Sequence, residues 1–222
     1  MAFYFTGINK KFLPLLFTTA FPSEAEVIFR NKPFQLIGQI KKSRLFQRKS
    51  EPVFLLITGV GHQLESSSLE PWLKHIAPAL LINFGICGGL DTTLPLFQNY
   101  LVSRVQHLEE QEISLELLYP ELLEKLLNHF PACCLLTSEH PVLQEPLRKQ
   151  LHQQTSCQLL DMEGYKLVKT AIDHSLPIIL LKQLTDYCNE DTVRIFRENQ
   201  SIWQNSLEKG LIQLLNVLSG CR

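Results

Sequence analysis

The amino-acid sequence predicts an α/β fold: a single-domain, three-layer α/β/α sandwich around a mixed, mostly parallel twisted sheet. Two patterns indicate this class. Short apolar runs bounded by turn residues recur along the 222 residues, and several are apolar continuously, as strands covered on both faces are. Helical periodicity separates some of these runs, and strands that alternate with helices form parallel or mixed sheets with helices on both sides.

Eight apolar runs predict strands, because each is short, rich in aliphatic or aromatic residues and bounded by turn or polar residues. In chain order the runs are Leu13–Thr19, Phe34–Ile40, Val53–Thr58, Leu80–Phe84, Tyr100–Val105, Cys133–Thr137, Gln158–Leu160 and Pro177–Leu184. The polar segment Lys41–Glu51 predicts a loop. Since no repeat or Gly/Ser linker divides the chain, we expect residues 1–222 to form one domain.

Two helices follow from the spacing of apolar residues. After Asp161, apolar residues recur at the i, i+3 and i+4 positions of one helix face. The segment Ser201–Ser219 is the clearest helix, because it has one apolar face and is followed by Gly220, a residue placed to end it.

Composition restricts the class of ligand. With 45% hydrophobic and 19% charged residues the chain can bury a core, and its net charge of −1 leaves no basic surface for nucleic acid. No run reaches the roughly 18–20 apolar residues that a membrane-spanning helix needs. Lys10-Lys11 before the run Phe12–Phe21 looks like a signal peptide, but an opening strand explains the interrupted run better. We therefore expect a small-molecule ligand and neither a nucleic-acid nor a membrane partner.

Cysteine and histidine usage predicts a cytoplasmic protein without a metal or a cofactor. None of the six cysteines forms a Cys-x-x-Cys pair, and a chain of this length does not need disulfides, so we expect reduced thiols. None of the seven histidines has another His or Cys at the spacing of zinc ligands. Cys133-Cys134 near His140 could be a thiol nucleophile and its base, but packing inside an apolar strand is the better interpretation.

Half of the ten glycines follow two predicted strands. These are Gly59, Gly61, Gly85, Gly88 and Gly89. Glycine at the end of a strand permits positive φ and lets the backbone approach a ligand, although tight turns would explain a single such cluster. Neither cluster has the sequence of a phosphate-binding P-loop or of a dinucleotide-binding loop.

Three carboxylates also follow predicted strands, and ligands bind at this edge of open α/β sheets. Glu24 follows the first strand, Glu163 lies where a strand changes to a helix, and Asp186 follows the run Pro177–Leu184. Helix capping could explain any one of them, and it is the preferred interpretation of Asp161. Three carboxylates beside two glycine clusters favour a site.

Four segments resemble motifs of the purine nucleoside phosphorylase superfamily, in particular of its methylthioadenosine/S-adenosylhomocysteine nucleosidases and futalosine hydrolases. In the family's order they are Ala20-Phe21-Pro22-Ser23-Glu24-Ala25, Asn83-Phe84-Gly85-Ile86-Cys87-Gly88-Gly89-Leu90, Asp161-Met162-Glu163-Gly164 and Leu184-Thr185-Asp186. They are similar to the first-strand Ala-x-x-x-Glu motif, the Asn-x-Gly-x-Ala-Gly-Gly-Leu loop, the Met-Glu ribose motif and the Ile-Ser-Asp motif. The order and spacing of the four segments match the family over nearly the whole chain.

The resemblance implies a role for each motif. Asp186 would donate a proton toward N7 of the purine, and Glu24 would polarise the attacking water. Glu163 would bind the ribose hydroxyls, and Met162 would pack beneath the sugar. The resemblance also implies a homodimer.

The residues expected to bind the substrate are Met162, Glu163, Ile86, Gly88, Val142 and Lys182. Three of them, Ile86, Val142 and Lys182, depart from the family pattern. Phosphorylases of the family bind phosphate with an arginine at the position of Asn83 and a hydroxyl at that of Ile86. Because this chain lacks both groups, water and not phosphate is the expected acceptor of the sugar. Nucleosidases carry an arginine at the position of Lys182, and lysine keeps its charge but not its planar fork. Val142 stands where an aromatic residue would stack on the base.

These patterns predict a purine nucleoside N-ribosyl hydrolase that cleaves the glycosidic bond of a 5′-substituted nucleoside. The departures favour aminodeoxyfutalosine or futalosine, of menaquinone biosynthesis, over methylthioadenosine or S-adenosylhomocysteine. A nucleoside phosphorylase and a non-catalytic nucleoside-binding protein of the same fold are the alternatives. The sequence identifies no residue that recognises the 5′ group.

Overall fold

Ten strands and eight helices make up the computed structural model, which describes residues 13–30, 33–49, 51–60 and 66–220, without the side chains of residues 66–68. The strands are β1 (Leu15–Thr19), β2 (Phe34–Ile40), β3 (Ser43–Arg48), β4 (Val53–Ile57), β5 (Leu80–Gly89), β6 (Asn99–His107), β7 (Glu110–Ser114), β8 (Ala132–Thr137), β9 (Leu159–Asp161) and β10 (Ile178–Asp186). The helices are α1 (Pro22–Phe29), α2 (Ser66–Ile76), α3 (Leu115–Leu118), α4 (Pro120–Leu127), α5 (Glu145–Thr155), α6 (Gly164–Asp173), α7 (Thr192–Glu198) and α8 (Gln200–Ser219). The α/β class is confirmed.

All ten strands belong to one mixed sheet, as predicted. The strand order is β10-β6-β8-β9-β5-β1-β4-β3-β2, with β7 beside β6 and an additional pairing of β10 with β5. The additional pairing closes β5, β10, β6, β8 and β9 into a ring, from which β1, β4, β3 and β2 extend as an open sheet. The architecture therefore differs from a simple open sandwich, because part of the sheet closes on itself and loses its free edges.

Strand β5 is the point where the sheet divides. Its first residues, Leu80–Asn83, pair in parallel with β1, and its last two, Gly88 and Gly89, pair antiparallel with β9. Strand β10 pairs in parallel along the other edge of β5. Glycine inside a strand accompanies tight bends and close approaches of a second backbone. The glycine-rich half of β5 can therefore turn from the open sheet into the ring.

The segment around Gly85 and Gly88 is thus a strand and not the loop expected from the sequence. Positive φ, expected at strand ends, is found at Gly59 (φ 86°) but not at these two residues. These glycines instead allow other groups to approach β5 closely. A Cβ on Gly85, for example, would lie 2.5 Å from Glu24 Oε1. Gly61 lies outside the described residues.

The prediction of a loop over Lys41–Glu51 is wrong, because β3 occupies most of it. Strand β3 pairs antiparallel with both β2 and β4. Its polar sequence conceals buried positions, because Leu45 is fully buried and Arg48, whose side chain lies on the other face of the strand, is 2% exposed. Arg48 is accommodated there by an ion pair of 2.8 Å with Glu51. The polar composition of this segment therefore does not distinguish a loop from a strand.

The two predicted helices are confirmed as α6 and α8. Along α8 the predicted apolar face is buried, and Gly220 ends the helix with a φ of 73°. The buried members of this face are Trp203, Leu207, Leu211, Leu214, Leu215 and Leu218. In the described part of the chain, no helix combines the length and the apolar character that crossing a membrane requires.

The expectation of six reduced cysteines is wrong for one pair. Cys134 and Cys157, which are 23 positions apart in sequence, form a disulfide with their Cα atoms 4.7 Å apart. Such a pairing depends on the distance between strand β8 and the segment that precedes β9, which spacing in sequence does not give. Cys87, Cys133 and Cys188 are free and buried, and Cys133 packs in the core as expected. Cys221 and Lys10-Lys11 lie outside the described residues.

We expect the substitution Leu45→Ala to lower the free energy of unfolding by about 2–5 kcal/mol, because it opens a cavity in a fully buried position of β3. The matched control is Leu36→Ala on the neighbouring strand, where the side chain is 54% exposed and the change should stay within about 0.5 kcal/mol. Urea unfolding of both variants measures the difference. Equal losses would show that Leu45 is not part of a packed strand.

Candidate active site

The carboxyl ends of three parallel strands bring the candidate residues to one edge of the sheet. β1 and β10 both run parallel to β5. Thr19 ends β1, Asp186 ends β10 and is paired in register with Gly88 of β5, and Glu24 lies in the first turn of the helix that follows β1. Two of the three carboxylates expected from the sequence therefore lie where the strands end together.

Glu24 is buried, with 1% of its surface exposed, and its carboxylate is held by four donors. The Thr19 hydroxyl donates to Oε2 at 2.6 Å, and the backbone N–H groups of Ala20 and Phe21 donate to the same oxygen at 3.1 and 2.8 Å. The backbone N–H of Ile86 donates to Oε1 at 2.8 Å. Oε1 thus has one donor among the described groups and keeps capacity for another.

Burial raises the pKa of the Glu24 carboxyl above its ordinary value. The hydrogen bonds from Thr19, Ile86 and Phe21 and the positive charge of Lys182 act in the opposite direction, because they stabilise the ionised form. Glu24 is therefore a positioned carboxylate whose proton affinity is higher than that of an exposed glutamate.

Lys182 is a buried cation among carboxylates. It is 2% exposed, and its Nζ lies 2.8 Å from Asp161 Oδ2. Burial alone would lower the pKa of Lys182, but the charges of Asp161, Glu163 and Glu24 outweigh it, and the pKa is raised. Lys182 therefore stays charged and interacts with carboxylates from two separate segments of the chain.

Asp161 does more than cap a helix. Its carboxylate accepts hydrogen bonds from the backbone N–H of Gly164 at 2.9 Å, as a cap would, and from the Thr137 hydroxyl at 2.8 Å. It also pairs with Lys182. The interpretation of Asp161 as a cap is thus incomplete, because it is also the partner that holds the buried lysine.

Met162 and Glu163 follow directly at the start of α6. Glu163 is 8% exposed, and its charge contributes to the raised pKa of Lys182. Met162 is half-buried beside it. The ribose motif expected from the sequence is therefore adjacent to the Lys182 ion pair.

Asp186 is 6% exposed and is also held by three donors. Its Oδ1 accepts from the backbone N–H of Cys188 at 2.9 Å and from the Thr192 hydroxyl at 2.8 Å, and its Oδ2 accepts from the Thr185 hydroxyl at 2.9 Å. A Cβ on Gly88 would lie 3.3 Å from Asp186 Oδ1 and would collide with Cys188 Sγ. Gly88 thus allows Asp186 to approach β5.

A cavity of about 270 Å³ opens beside Asp186, and we call it the α7 cavity. It is lined by Phe21, Ile86, Asp186, Thr192, Val193, Phe196 and Arg197. Of the residues singled out from the sequence, Asp186 and Ile86 line it directly, and Glu24 is joined to it through the Ile86 N–H. Ligand pockets usually measure about 300–1,000 Å³, so this cavity suits a part of a nucleoside-sized ligand.

The other candidates lie away from this cavity. Val142 is buried in a small separate cluster, and the same cluster includes Cys188. Met162, Glu163 and Lys182 surround Asp161 instead and are not among the residues that line the cavity. The candidate residues therefore form two groups, one at the cavity and one around the buried lysine, with Glu24 interacting with both.

Several contributing side chains were not among the site residues predicted from the sequence. The hydroxyls of Thr19, Thr185 and Thr192 each donate to one of the two candidate catalytic carboxylates. Thr185 and Thr192 lie one and six positions from Asp186, so a search for hydroxyls near each acid would have found them. Arg197 lies on a helix that the sequence analysis did not predict.

Comparison with known proteins identifies relatives for this arrangement. The family model of the phosphorylase superfamily matches residues 14–216. No curated protein matches the sequence.

Solved structures with the same fold share little sequence with the chain. A 5′-methylthioadenosine/S-adenosylhomocysteine nucleosidase from Helicobacter pylori is 12% identical, with a TM-score of 0.79 over 91% of this chain and 97% of that one. A futalosine hydrolase from the same species is 12% identical, with a TM-score of 0.77 and the same coverage. An S-adenosylhomocysteine nucleosidase from Streptococcus pyogenes is 15% identical, with a TM-score of 0.77 over 90% of this chain and 95% of that one.

We expect Lys182→Met to destabilise the protein by about 3–5 kcal/mol, because it leaves the buried carboxylate of Asp161 without its cation. The control Lys169→Met removes an exposed partner of Glu110 and should cost no more than about 1 kcal/mol. Urea unfolding measures both. In the double variant Lys182→Met/Asp161→Asn, part of the loss should be recovered, and strictly additive losses would contradict the coupling.

Proposed function

The chain belongs to the phosphorylase superfamily, and from this premise we propose that it is a purine nucleoside N-ribosyl hydrolase. The observation that carries the proposal is the arrangement around Ile86. Ile86 lines the α7 cavity together with Asp186, and its backbone N–H binds Glu24. An acid and a water-activating carboxylate are thus available at one site, as cleavage of a glycosidic bond requires.

Asp186 is the proposed general acid. It carries the proton that passes to N7 of the purine, so that the electrons of the breaking C1′–N9 bond move into a neutral leaving base. The hydroxyls of Thr185 and Thr192 and the N–H of Cys188 hold its carboxyl group in a fixed orientation. The base leaves with that proton, and the sugar is left with oxocarbenium character at C1′.

Glu24 is the proposed partner of the attacking water. Its Oε1 can accept a hydrogen bond from water, while the donors on Oε2 and the Ile86 N–H prevent the side chain from turning. Water adds its oxygen to C1′ and gives its proton to Glu24, which yields the free sugar and the free base. The negative charge of Glu24 also stabilises the developing positive charge of the sugar.

The sugar-binding role proposed for Glu163 and Met162 is supported by their place beside Lys182. The charge of the buried ammonium group attracts the Glu163 carboxylate, and a carboxylate is a strong acceptor for ribose hydroxyls. Lys182 is proposed to act through these carboxylates. Substrate binding by Gly88, and contact of Val142 with the base, remain predictions.

Water is favoured over phosphate as the acceptor. The Asn83 side chain is neutral and donates to the backbone O and the hydroxyl of Thr18, at 3.3 and 3.2 Å. Ile86 offers no hydroxyl to an anion. Neither position therefore supplies the groups with which phosphorylases of this family would bind phosphate.

The finer features of the proposal come from the resemblance. We favour aminodeoxyfutalosine or futalosine, and thus menaquinone biosynthesis, with methylthioadenosine and S-adenosylhomocysteine next. The resemblance to solved structures named for both activities supports the wider substrate class. One nucleosidase domain over residues 1–222, a homodimer and a cytoplasmic location stay predictions.

The direct test is to incubate the protein with adenine and hypoxanthine nucleosides, including the futalosines and methylthioadenosine, and to follow the free base by chromatography. We expect free base and free sugar at the same rate with and without phosphate. A requirement for phosphate, with ribose 1-phosphate as product, would identify a phosphorylase. Tight binding of a nucleoside without release of base would identify a binding protein.

In the same assay Asp186→Asn should lower kcat by about 10²–10⁴-fold, because the amide cannot donate the proton. The fold should persist, since the Thr185 hydroxyl also lies 3.3 Å from Cys87 O and can donate there instead. Asp191→Asn is the control, because Asp191 is exposed and does not line the cavity. Full activity of Asp186→Asn would show that the acid is misassigned.

Thr19→Val tests the role of Glu24 through pH dependence. The Thr19 hydroxyl lowers the pKa of Glu24, so its removal raises that pKa further. Since Glu24 must be ionised to accept a proton, activity is lost as pH falls through its pKa, and the acid limb of kcat/KM should move to higher pH. Thr19→Ser should restore the wild-type profile, and an unchanged acid limb in Thr19→Val would contradict the assignment.

A further inference from the structure

The Cys134–Cys157 disulfide has no part in the proposed chemistry, yet it belongs to the pair of strands that leads to the candidate site. Cys134 lies in β8, and Cys157 is two positions before β9. Gln158 also joins the two segments, because its backbone N–H donates to Cys134 O at 3.2 Å and its Oε1 accepts from the Cys134 N–H at 2.8 Å. The disulfide therefore links the segments at the point where the pairing of β8 with β9 begins.

The same pair of strands ends among the candidate residues. β8 and β9 pair in parallel, and their last pair is Thr137 with Asp161. The Thr137 hydroxyl donates to Asp161 Oδ1 at 2.8 Å. Asp161 holds Lys182 and is followed directly by Met162-Glu163. Since Cys157 precedes Asp161 by four residues, the disulfide lies within about 13 Å of this carboxylate along the chain.

Strand β9 has a small backbone attachment to the rest of the sheet. It is three residues long, and its pairing with β5 is limited to Gly88 and Gly89. Segments with few contacts open locally at a low cost in free energy. A covalent link just before β9 therefore adds a restraint where the backbone pairing is sparse.

The disulfide also closes a loop, residues 134–157, that contains α5 and Val142. Arg148 of α5 fastens this loop to β5, because its Nη1 donates to Leu90 O at 2.7 Å, one residue after β5 ends. Joining the two ends of a loop reduces the open conformations available to it. The bond therefore restrains the segment predicted to contact the base as well as β9.

Both cysteines are packed in a small buried cluster, in which Cys134 is 2% exposed and Cys157 is fully buried. Val142 and Cys188 belong to the same cluster, and the backbone N–H of Cys188 donates to Asp186 Oδ1 at 2.9 Å. Bonded sulfur atoms lie about 2 Å apart, whereas non-bonded atoms need about 3.5–4 Å. Opening the bond therefore forces neighbouring side chains to move.

We infer that the Cys134–Cys157 disulfide is a redox switch of the candidate site: the closed bond holds β9 and the sugar-binding motif in place, and reduction weakens substrate binding. The inference rests on the proposed function, because that function assigns the sugar to Met162 and Glu163. A disulfide persists in an oxidising compartment and is opened in a reducing one. Affinity for the nucleoside thus follows the redox state of the surroundings.

The switching step is thiol–disulfide exchange with a dithiol. A thiolate of the dithiol attacks one cysteine sulfur and forms a mixed disulfide, and the other cysteine leaves and takes up a proton. The second thiol of the reagent then displaces the remaining cysteine, and the reagent closes into a cyclic disulfide. The protein gains two electrons and two protons, and the dithiol loses them. Because the bond is buried, the exchange proceeds through local opening of the loop.

Dithiothreitol is the probe, and the substrates are the nucleosides of the hydrolase assay. Wild-type protein is incubated with the reagent until two further thiols are titrated after denaturation, and its kinetics are compared with those of untreated protein. We expect KM to rise by about 3–10-fold, the contribution of about one hydrogen bond, and kcat to stay within about twofold. The rate should be retained because two donors to Asp186, the hydroxyls of Thr185 and Thr192, lie outside the cluster. Oxidised glutathione should restore the original KM.

Two variants make the test specific. Cys134→Ala/Cys157→Ala should have the KM of the reduced wild-type protein and should not respond to dithiothreitol. Cys133→Ala is the matched control, because it removes a buried free thiol beside the disulfide and should keep the wild-type response. Reduction of the wild-type protein tests the inference even if the double variant does not fold.

A purely structural disulfide would give a different result. Reduction would then lower the free energy of unfolding in urea and leave KM and kcat of the folded protein unchanged, and this would overturn the inference. A bond that dithiothreitol does not open in the folded protein, or a fall in kcat with KM unchanged, would overturn it too.

The hydrolase proposal is judged separately in the same experiment. If neither redox form cleaves or binds any nucleoside, the hydrolase proposal fails and the inference fails with it. If both forms cleave with the same KM, the hydrolase proposal stands and the switch is wrong.

Discussion

The buried ion pair of Lys182 and Asp161 is the interaction on which the site depends. Carboxylates buried without compensation are costly, yet Asp161, Glu163 and Glu24 all lie in the protein interior at the ends of strands. One ammonium group, that of Lys182, interacts with all three carboxylates, and their charges raise its pKa. The same lysine therefore interacts electrostatically with Glu163, the proposed sugar-binding carboxylate, and opposes the effect of burial on the pKa of Glu24.

Strand β5 makes this charge cluster compatible with a sheet. Gly85 leaves room for the Glu24 carboxylate and Gly88 leaves room for Asp186 and Cys188, at points about 10 Å apart along the strand. A side chain at either glycine would displace a candidate catalytic group. The absence of Cβ atoms thus creates the space that admits the acids beside a strand that belongs to both the open sheet and the ring.

Some of the site could be predicted because its residues lie at strand ends. Glu24 and Asp186 follow apolar runs, and both are found beside β5, while Ile86 lies between them in space. The sequence indicates that Lys182 keeps the charge of the family's arginine, but it does not predict the ion pair with Asp161. Helix capping already explains an aspartate at position 161. Arg197 was missed altogether, since a polar helix of seven residues has no apolar periodicity to indicate it.

The order of residues alone establishes the alternation of strands and helices, the family motifs and the position of each acid relative to its strand, because these depend on short-range periodicity and spacing. Folding decided the closure of β10 onto β5, the burial of polar β3, the Cys134–Cys157 disulfide and the contact between Glu24 and Ile86, which are 62 positions apart. The physical reason is that these features are contacts between distant segments. Their energy depends on burial and distance in three dimensions, which local sequence does not contain.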